Sequence, residues 1–172
     1  MSRNDKSRSR AYLHSDFKRI NECKNTLQYF SIGLIDDNLF EWEVVLFGPK
    51  DSLHESAIYR AKMSFPSNYP DAPPSFKFTS KMWHPNISAD GTVCISILHK
   101  AGNDEFGYES IDERWLPVRT PETVILSIIS LLHEPNPDSP ANIEAANEYR
   151  NNIKLYSRKV RKLAEETLDE DN

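Results

Sequence analysis

The sequence predicts one domain in which an antiparallel β-sheet follows a helix and precedes further helices. Four strand-like segments occur early in the chain, and their short connections favour a meander of neighbouring antiparallel strands. Apolar residues at helical spacing occur before and after these segments. A chain of 172 residues can bury a core without disulfides or metals. We therefore expect a single domain over residues 1–168 and a short acidic tail over 169–172.

The first helix is predicted from the spacing of Leu13, Phe17 and Ile20. Residues 1–10 are expected to be frayed ahead of it, and the Asn-Thr pair at 25–26 to end it.

The strands are predicted over 29–35, 39–47, 58–65 and 75–78, with turn chemistry at 36–38. In the third strand, alternating residues form one apolar face: Tyr59, Ala61, Met63 and Phe65. The segment after it, 66–74, contains four prolines, which exclude a helix or a central strand there.

Residues 79–120 show little periodicity, and a long irregular stretch in a compact domain usually carries function. Thr120 can then cap a helix that has Pro121 at its first position. Segment 124–132 is apolar almost all round, which predicts a deeply buried helix that ends before Pro135. Two further helices are predicted over 141–150 and 152–167.

Composition and charge exclude several classes of function. With 26 acidic and 21 basic residues the net charge is −5, which argues against general nucleic-acid binding. No apolar run approaches the length of a membrane-spanning helix, so no intrinsic membrane anchor is expected. The first residues do not match a secretory signal. The only two cysteines, Cys23 and Cys94, suggest a reducing compartment.

Cys94 is the candidate nucleophile, although a cysteine among aliphatic residues is more often a small core residue. The triplet His84-Pro85-Asn86 precedes it by eight residues. A thiolate is a strong nucleophile, and an amide NH₂ can donate to an oxyanion at an acyl group on its sulfur. His84 and Asn86 can equally well stabilise a turn through bonds to the backbone.

Other chemistries have weaker support. A cysteine protease needs a histidine base beside the thiol, and no protease motif surrounds the available histidines His54, His84, His99 and His133. The histidines and cysteines lack zinc-binding spacing, and there is no glycine-rich phosphate loop. We expect no metal and no cofactor.

Six elements in order resemble the ubiquitin-conjugating enzyme family over about residues 7–168. They are Trp42-x-x-x-x-Phe47-Gly48-Pro49, Phe65-Pro66-x-x-Tyr69-Pro70-x-x-Pro73-Pro74, His84-Pro85-Asn86, Cys94, Trp115-x-Pro117 and Pro135-Asn136-Pro137-Asp138-Ser139-Pro140. Each is weak alone, but six in register are specific. The resemblance implies an α+β fold: an N-terminal helix, a four-stranded antiparallel meander, a crossing helix and two C-terminal helices.

By this resemblance, Cys94 accepts the C-terminal carboxyl of ubiquitin from an activating enzyme as a thioester, which a substrate lysine then attacks. ATP and Mg²⁺ are used by the activating enzyme. Asn86 positions a loop or stabilises the oxyanion, and His84 is structural. Ser139 stands where an acidic or serine side chain gates the incoming lysine, and aspartate is more common there. Capping the helix that follows is the alternative role for Ser139.

The spacing after Cys94 points to a subgroup. Compact members have Trp-x-Pro soon after the cysteine, whereas here Trp115 follows Cys94 by 21 residues. The insert, about residues 99–113, is acidic through Asp104, Glu105, Glu109, Asp112 and Glu113. It resembles the acidic loop of members that build degradative polyubiquitin chains. An acidic rim could attract a basic patch of the acceptor ubiquitin; a solvated loop is the alternative.

The resemblance also implies partner surfaces. Basic residues of the first helix would meet the activating enzyme: Arg10, Lys18 and Arg19. A ligase-binding patch would comprise Tyr69, Pro70, Ala72, Pro73, Pro117 and Val118. Asp71 stands where members that serve thioester-forming ligases often carry phenylalanine, so we expect a RING-type ligase.

Ubiquitin itself would contact two further surfaces. Leu126 and Ser130 would receive the donor ubiquitin, with core packing as the alternative for Leu126. Ser31 marks the sheet face that binds a second ubiquitin in some members.

Three local features complete the comparison with the family. Glu55-Ser56-Ala57 replaces the common Glu-Gly-Gly, and serine or alanine fits poorly if the turn needs a positive φ. The Tyr69-Pro70 bond is expected to be cis. Cys23 has no counterpart in the family.

Two alternatives share the fold. One is a non-catalytic ubiquitin-binding cofactor, but such proteins lack the cysteine. The other is an enzyme that conjugates a different ubiquitin-like modifier, although the acidic insert favours ubiquitin. We expect the chain to work in the cytoplasm or nucleus, and a partner to provide any recruitment to the endoplasmic reticulum surface.

Overall fold

A four-stranded antiparallel sheet forms the centre of the molecule. The computed structural model describes residues 3–100 and 111–169. The strands are β1 (Phe30–Ile35), β2 (Asn38–Phe47), β3 (Ile58–Ser64) and β4 (Ser75–Phe78), and they neighbour one another in sequence order. This confirms the predicted meander, with strand ends within one residue of the prediction.

The part of the chain that the structure describes also contains four α-helices: α1 (Arg3–Glu22), α2 (Pro121–His133), α3 (Ile143–Asn151) and α4 (Ile153–Asp169). Thr120 caps α2 as predicted, because its hydroxyl accepts a hydrogen bond from the Thr123 amide at 3.3 Å. The α+β class and the order of its elements are therefore confirmed. None of the helices within the described residues is both long and apolar enough to cross a membrane.

The prediction that residues 1–10 are frayed was wrong for 3–10, which form the first turns of α1. Tertiary contacts hold these turns. The buried Ser9 hydroxyl donates to the Ser67 carbonyl at 2.8 Å, and Arg8 pairs with Asp71 at 3.2 Å. The start of α1 therefore lies against the proline-rich loop, which no pattern within α1 itself could reveal.

The core is built from one face of the sheet together with buried residues of α1 and α2. The alternation predicted for β3 is confirmed, because Tyr59, Ala61 and Met63 are each at most 2% exposed. Residues on the opposite sheet face form ion pairs, including Glu43 with Arg60 at 3.4 Å. Burying the apolar face stabilises the fold by roughly 25 cal/mol for each Å² removed from water.

One side of α2 departs from the prediction of burial all round. Val124, Ile125 and Ile128 are fully buried, but Leu126 is 40% exposed. Core packing, the alternative considered for Leu126, is therefore wrong.

Three turns adopt specific backbone conformations. Asp36 and Asp37 have φ of +50° and +54° in the β1–β2 turn, as a type I′ hairpin requires. Ser56 has φ of +70°, so this turn accepts a serine in the left-handed region despite its β-carbon. The Tyr69-Pro70 bond is cis, as expected.

Candidate active site

A turn packed on β4 carries Cys94 to the surface. The Val93 amide donates to the Phe76 carbonyl and the Cys94 amide to the Asn86 carbonyl, both at 3.0 Å. Gly91 within this turn has φ of +94°, and a β-carbon there would lie 2.1 Å from the Phe78 carbonyl oxygen. Only glycine lets the turn approach β4 this closely.

Cys94 is exposed, so its interpretation as a small core residue is wrong. Partial burial and the nearby negative charge of Asp90 raise the pKa of its thiol. At neutral pH the sulfur is therefore mostly protonated, unlike the preformed thiolate of a cysteine–histidine dyad. Such a group is suited to reaction with an acyl group that is already activated.

His84 is a structural residue in this geometry. Its side chain is fully buried, and burial lowers its pKa to about 4. The neutral ring donates from Nε2 to the Leu131 carbonyl at 2.9 Å and accepts at Nδ1 from the Asn86 amide at 3.0 Å. Because both nitrogens are engaged, His84 cannot serve as a base for Cys94. It ties the triplet to the last turn of α2.

Asn86 joins the cysteine segment to the loop over 135–140, which contains Ser139. Its Oδ1 accepts from the Asn136 amide at 2.9 Å, and its Nδ2 donates to the Asn136 carbonyl at 2.7 Å. Nδ2 also approaches the Ser139 carbonyl at 3.5 Å. The neighbouring Pro85 carbonyl accepts from Ala141 and Asn142. The Asn86 side chain is thus committed to holding this loop.

The site is a cleft of about 760 Å³ that brings together Cys94, Asn86, Ser130 and Ser139. Three residues from separate motifs and Ser130, which the resemblance assigned to the donor ubiquitin, therefore share one surface. Ser139 is exposed, and Asn142 rather than Ser139 caps α3, so the capping alternative for Ser139 is wrong.

The acidic insert is partly described. Asp104, Glu105 and Glu109 lie outside the described residues. Asp112 and Glu113 are exposed, and Glu113 lines the cleft of Cys94. The insert is closed at its base, where the Trp115 amide donates to the His99 carbonyl at 3.0 Å. At least one predicted acidic side chain therefore lines the same cleft as Cys94.

The predicted ligase patch has an inner and an outer part. Tyr69 and Pro70 are buried, and the Trp115 indole donates to the Pro70 carbonyl at 2.8 Å. These two residues shape the loop from inside and do not face a partner. Ala72 and Pro73 are half-buried, whereas Pro117 and Val118 are exposed, Val118 by 84%. Ligase binding stays a prediction, restricted to the outer residues.

The other predicted partner surfaces are accessible. Arg10, Lys18 and Arg19 are exposed on α1, and Arg19 also links α1 to α2 through Glu122 at 2.8 Å. Leu126 and Ser130 are exposed on α2, and Ser31 is half-buried on β1. None of these positions conflicts with its predicted partner.

Sequence reasoning missed several residues that line the site, Arg119 and Leu131 among them. Arg119 lines the cleft, and the Leu131 carbonyl anchors His84. The position of a cation just beyond an acidic insert was a possible sequence signal for Arg119. The Leu131 carbonyl has no such signal, because a backbone group is the same in every residue. Within the described residues, no group of three or more His, Cys, Asp and Glu side chains could hold a metal ion.

The fold and the site together define a family. A profile of the family described as "Ubiquitin-conjugating enzyme" matches residues 12–164. The chain is 49% identical to ubiquitin-conjugating enzyme E2 15 of Schizosaccharomyces pombe, covering 95% of this chain and 97% of that relative. It is 53% identical to ubiquitin-conjugating enzyme E2 7 of Arabidopsis thaliana, covering 80% and 84%. A relative from African swine fever virus (strain Badajoz 1971 Vero-adapted) is 43% identical, covering 92% and 73%.

The chain therefore belongs to the ubiquitin-conjugating enzyme family, and its α+β fold is the fold of that family. It is an enzyme of the ubiquitin pathway, and membership implies that it works with ubiquitin, an activating enzyme and a ligase.

Proposed function

We propose that this enzyme carries ubiquitin as a thioester on Cys94 and transfers it to lysine amines. The observation that carries the proposal is the exposed Cys94 in a cleft beside the loop that Asn86 holds. The Cys94 thiolate attacks the carbonyl carbon of ubiquitin on the activating enzyme. A new C–S bond forms, the old one breaks, and the activating enzyme leaves as a thiolate.

In the second step, ubiquitin passes to a lysine and the bond between its carbonyl carbon and the Cys94 sulfur breaks. The neutral lysine amine attacks the thioester carbonyl, an isopeptide bond forms, and Cys94 leaves as a thiolate while the amine loses a proton to solvent or a nearby base. A thioester needs no further activation, so positioning and partial desolvation of the amine supply most of the catalysis. The raised pKa of Cys94 fits this division of labour, because activation enters with the substrate.

Asn86 and Ser139 take different roles in this scheme. Asn86 positions the loop, because both ends of its amide already bond to Asn136. Ser139 is exposed in the cleft, so its hydroxyl gates the approach of the lysine.

We further propose that the enzyme belongs to the acidic-loop subgroup and builds degradative polyubiquitin chains with a RING-type ligase. Glu113 supports this proposal because it borders the cleft of Cys94, where a carboxylate can attract a basic patch on the acceptor ubiquitin. Asp71 supports a RING-type partner, because an exposed carboxylate paired with Arg8 disfavours an apolar ligase pocket.

A charging assay tests the thioester proposal. The protein is mixed with ubiquitin, activating enzyme, ATP and Mg²⁺, and the products are separated with and without thiol reductant. We expect an adduct that reductant removes, that Cys94→Ala abolishes and that Cys23→Ala retains. An adduct with another modifier but none with ubiquitin would change the pathway. No adduct with any modifier would favour the non-catalytic cofactor.

A further inference from the structure

We infer that Arg119 is a positioning residue, which fixes the carboxyl-side end of the acidic insert at the Cys94 cleft and so sets the affinity for the acceptor ubiquitin. This inference rests on the proposed role of the acidic insert. Arg119 belongs to none of the motifs that carry the family resemblance.

Hydrogen bonds to two backbone carbonyls place the guanidinium. Arg119 Nε donates to the Arg114 carbonyl at 3.0 Å, and its Nη2 donates to the Asp112 carbonyl. The Asp112 carbonyl belongs to a short 3₁₀ turn (Ile111–Glu113) that ends the insert. A planar guanidinium can bind two carbonyls at once, so one side chain fixes both sides of Glu113.

Glu113 is the residue that this clamp presents. It is exposed and lines the cleft of Cys94 together with Arg119. The Trp115 amide fixes the next point along the chain through the His99 carbonyl. The described ends of the insert are therefore held by backbone pairing between His99 and Trp115 and by Arg119 at the last turn, and Glu113 lies in sequence between the two carbonyls that Arg119 binds.

The positive charge of Arg119 is opposite to that of the insert's acids, which are proposed to attract the acceptor ubiquitin. The competing explanation is therefore that Arg119 acts on the acceptor directly through its charge. A cation at the cleft would repel a basic patch on the acceptor ubiquitin, so its removal should then strengthen acceptor binding. The positioning role predicts the reverse, because loss of the clamp releases the acidic turn. The two explanations therefore differ in the sign of one measurement.

The test measures diubiquitin formation from precharged enzyme over a range of acceptor ubiquitin concentrations. For Arg119→Gln we expect KM for the acceptor to rise about fivefold, the size of about one lost hydrogen bond, with a smaller change in kcat. Arg119→Lys should reverse only part of the rise in KM, because an ammonium cannot bind both carbonyls at once as the planar guanidinium does. Arg158→Gln on the exposed surface of α4 removes the same charge elsewhere and is the matched control.

A double-mutant cycle distinguishes the positioning role of Arg119 from the proposed role of the acidic insert in binding the acceptor ubiquitin. In an Asp112→Asn, Glu113→Gln background, Arg119→Gln should have little further effect on KM, because it acts through these acids. If the acid substitutions alone leave KM unchanged, the proposed role of the insert fails. If the acid substitutions do raise KM, three results would still contradict the positioning role. Arg119→Gln alone could lower KM, it could leave KM unchanged, or it could raise KM by its full factor even after both acids have been replaced.

Hydrogen exchange gives a readout that does not depend on activity. The amides of 113–115 should exchange faster in Arg119→Gln, while amides of the sheet keep their protection. Faster exchange throughout the molecule would instead show general destabilisation and would overturn the assignment.

Discussion

At the scale of single residues, the environment of Cys94 sets its reactivity. Partial burial and the charge of Asp90 both raise the pKa of the thiol. Asp90 is held in place by Ser88 at 2.5 Å and by the Thr92 amide at 3.0 Å, so its charge has a fixed position. Both effects disfavour the thiolate form of Cys94.

Asp90→Asn should lower the pKa of Cys94 and speed its alkylation at neutral pH. We expect about a twofold increase in rate at low ionic strength, since exposed charges interact weakly, and a smaller increase in 1 M salt. Asparagine keeps an oxygen that can accept the turn hydrogen bonds. The pH dependence of iodoacetamide labelling in a Cys23→Ser background measures the effect.

Asp37→Asn in the β1–β2 turn is the matched control, because it removes one exposed carboxylate elsewhere. If Asp90→Asn shifts the labelling profile no more than this control does, the charge of Asp90 does not govern Cys94.

At the scale of elements, Asn86 bonds to a segment 50 residues away in sequence. Its side chain is 3% exposed and pairs with both backbone groups of Asn136. His84 adds a bond to the end of α2. The cysteine segment, α2 and the loop over 135–140 therefore form one supported unit, and the cleft of Cys94 depends on all three.

Asn86→Ala should destabilise this unit by about 1–3 kcal/mol, because it removes two hydrogen bonds to the Asn136 backbone that each contribute roughly 0.5–1.5 kcal/mol. Unfolding in urea measures the global part, and hydrogen exchange at the Asn136 amide measures the local part. Asn147→Ala on the exposed face of α3 is the control. Slower transfer to lysine with undiminished protection at Asn136 would favour the oxyanion role over positioning.

At the scale of the whole molecule, two buried histidines couple stability to pH. Burial lowers the pKa of His54 to about 3 and that of His84 to about 4. Their rings lie 6.3 Å apart, and His54 bonds to the Tyr59 hydroxyl at 2.7 Å. Both must stay neutral in the folded state, whereas the unfolded chain binds protons on them below about pH 6.5.

The free energy of unfolding should therefore fall as the pH drops from about 7 towards 5. In this window the unfolded state binds more protons, and each histidine adds a slope of at most about 1.4 kcal/mol per pH unit. Urea midpoints at several pH values measure the slope. His54→Gln should reduce it, with the exposed His133→Gln as control. A slope that His54→Gln leaves unchanged would contradict this account.

The sequence by itself determined the order of the elements. Alternation in β3, the prolines of 66–74 and the Thr120 cap each act over a few residues, so the sequence specifies them locally. The resemblance to the ubiquitin-conjugating enzyme family implied that Cys94, Asn86 and Ser139 belong to one site, and the structure brings them to one cleft.

Only the tertiary structure decided which distant groups meet. Ser9 bonds to Ser67, 58 residues away, in the part of α1 that begins at Arg3. The tertiary structure also decided that Leu126 is exposed, that Tyr69 is buried and that Arg119 binds the end of the insert. Periodicity encodes which face of an element is apolar, but partner choice depends on three-dimensional packing that brings together groups far apart along the chain.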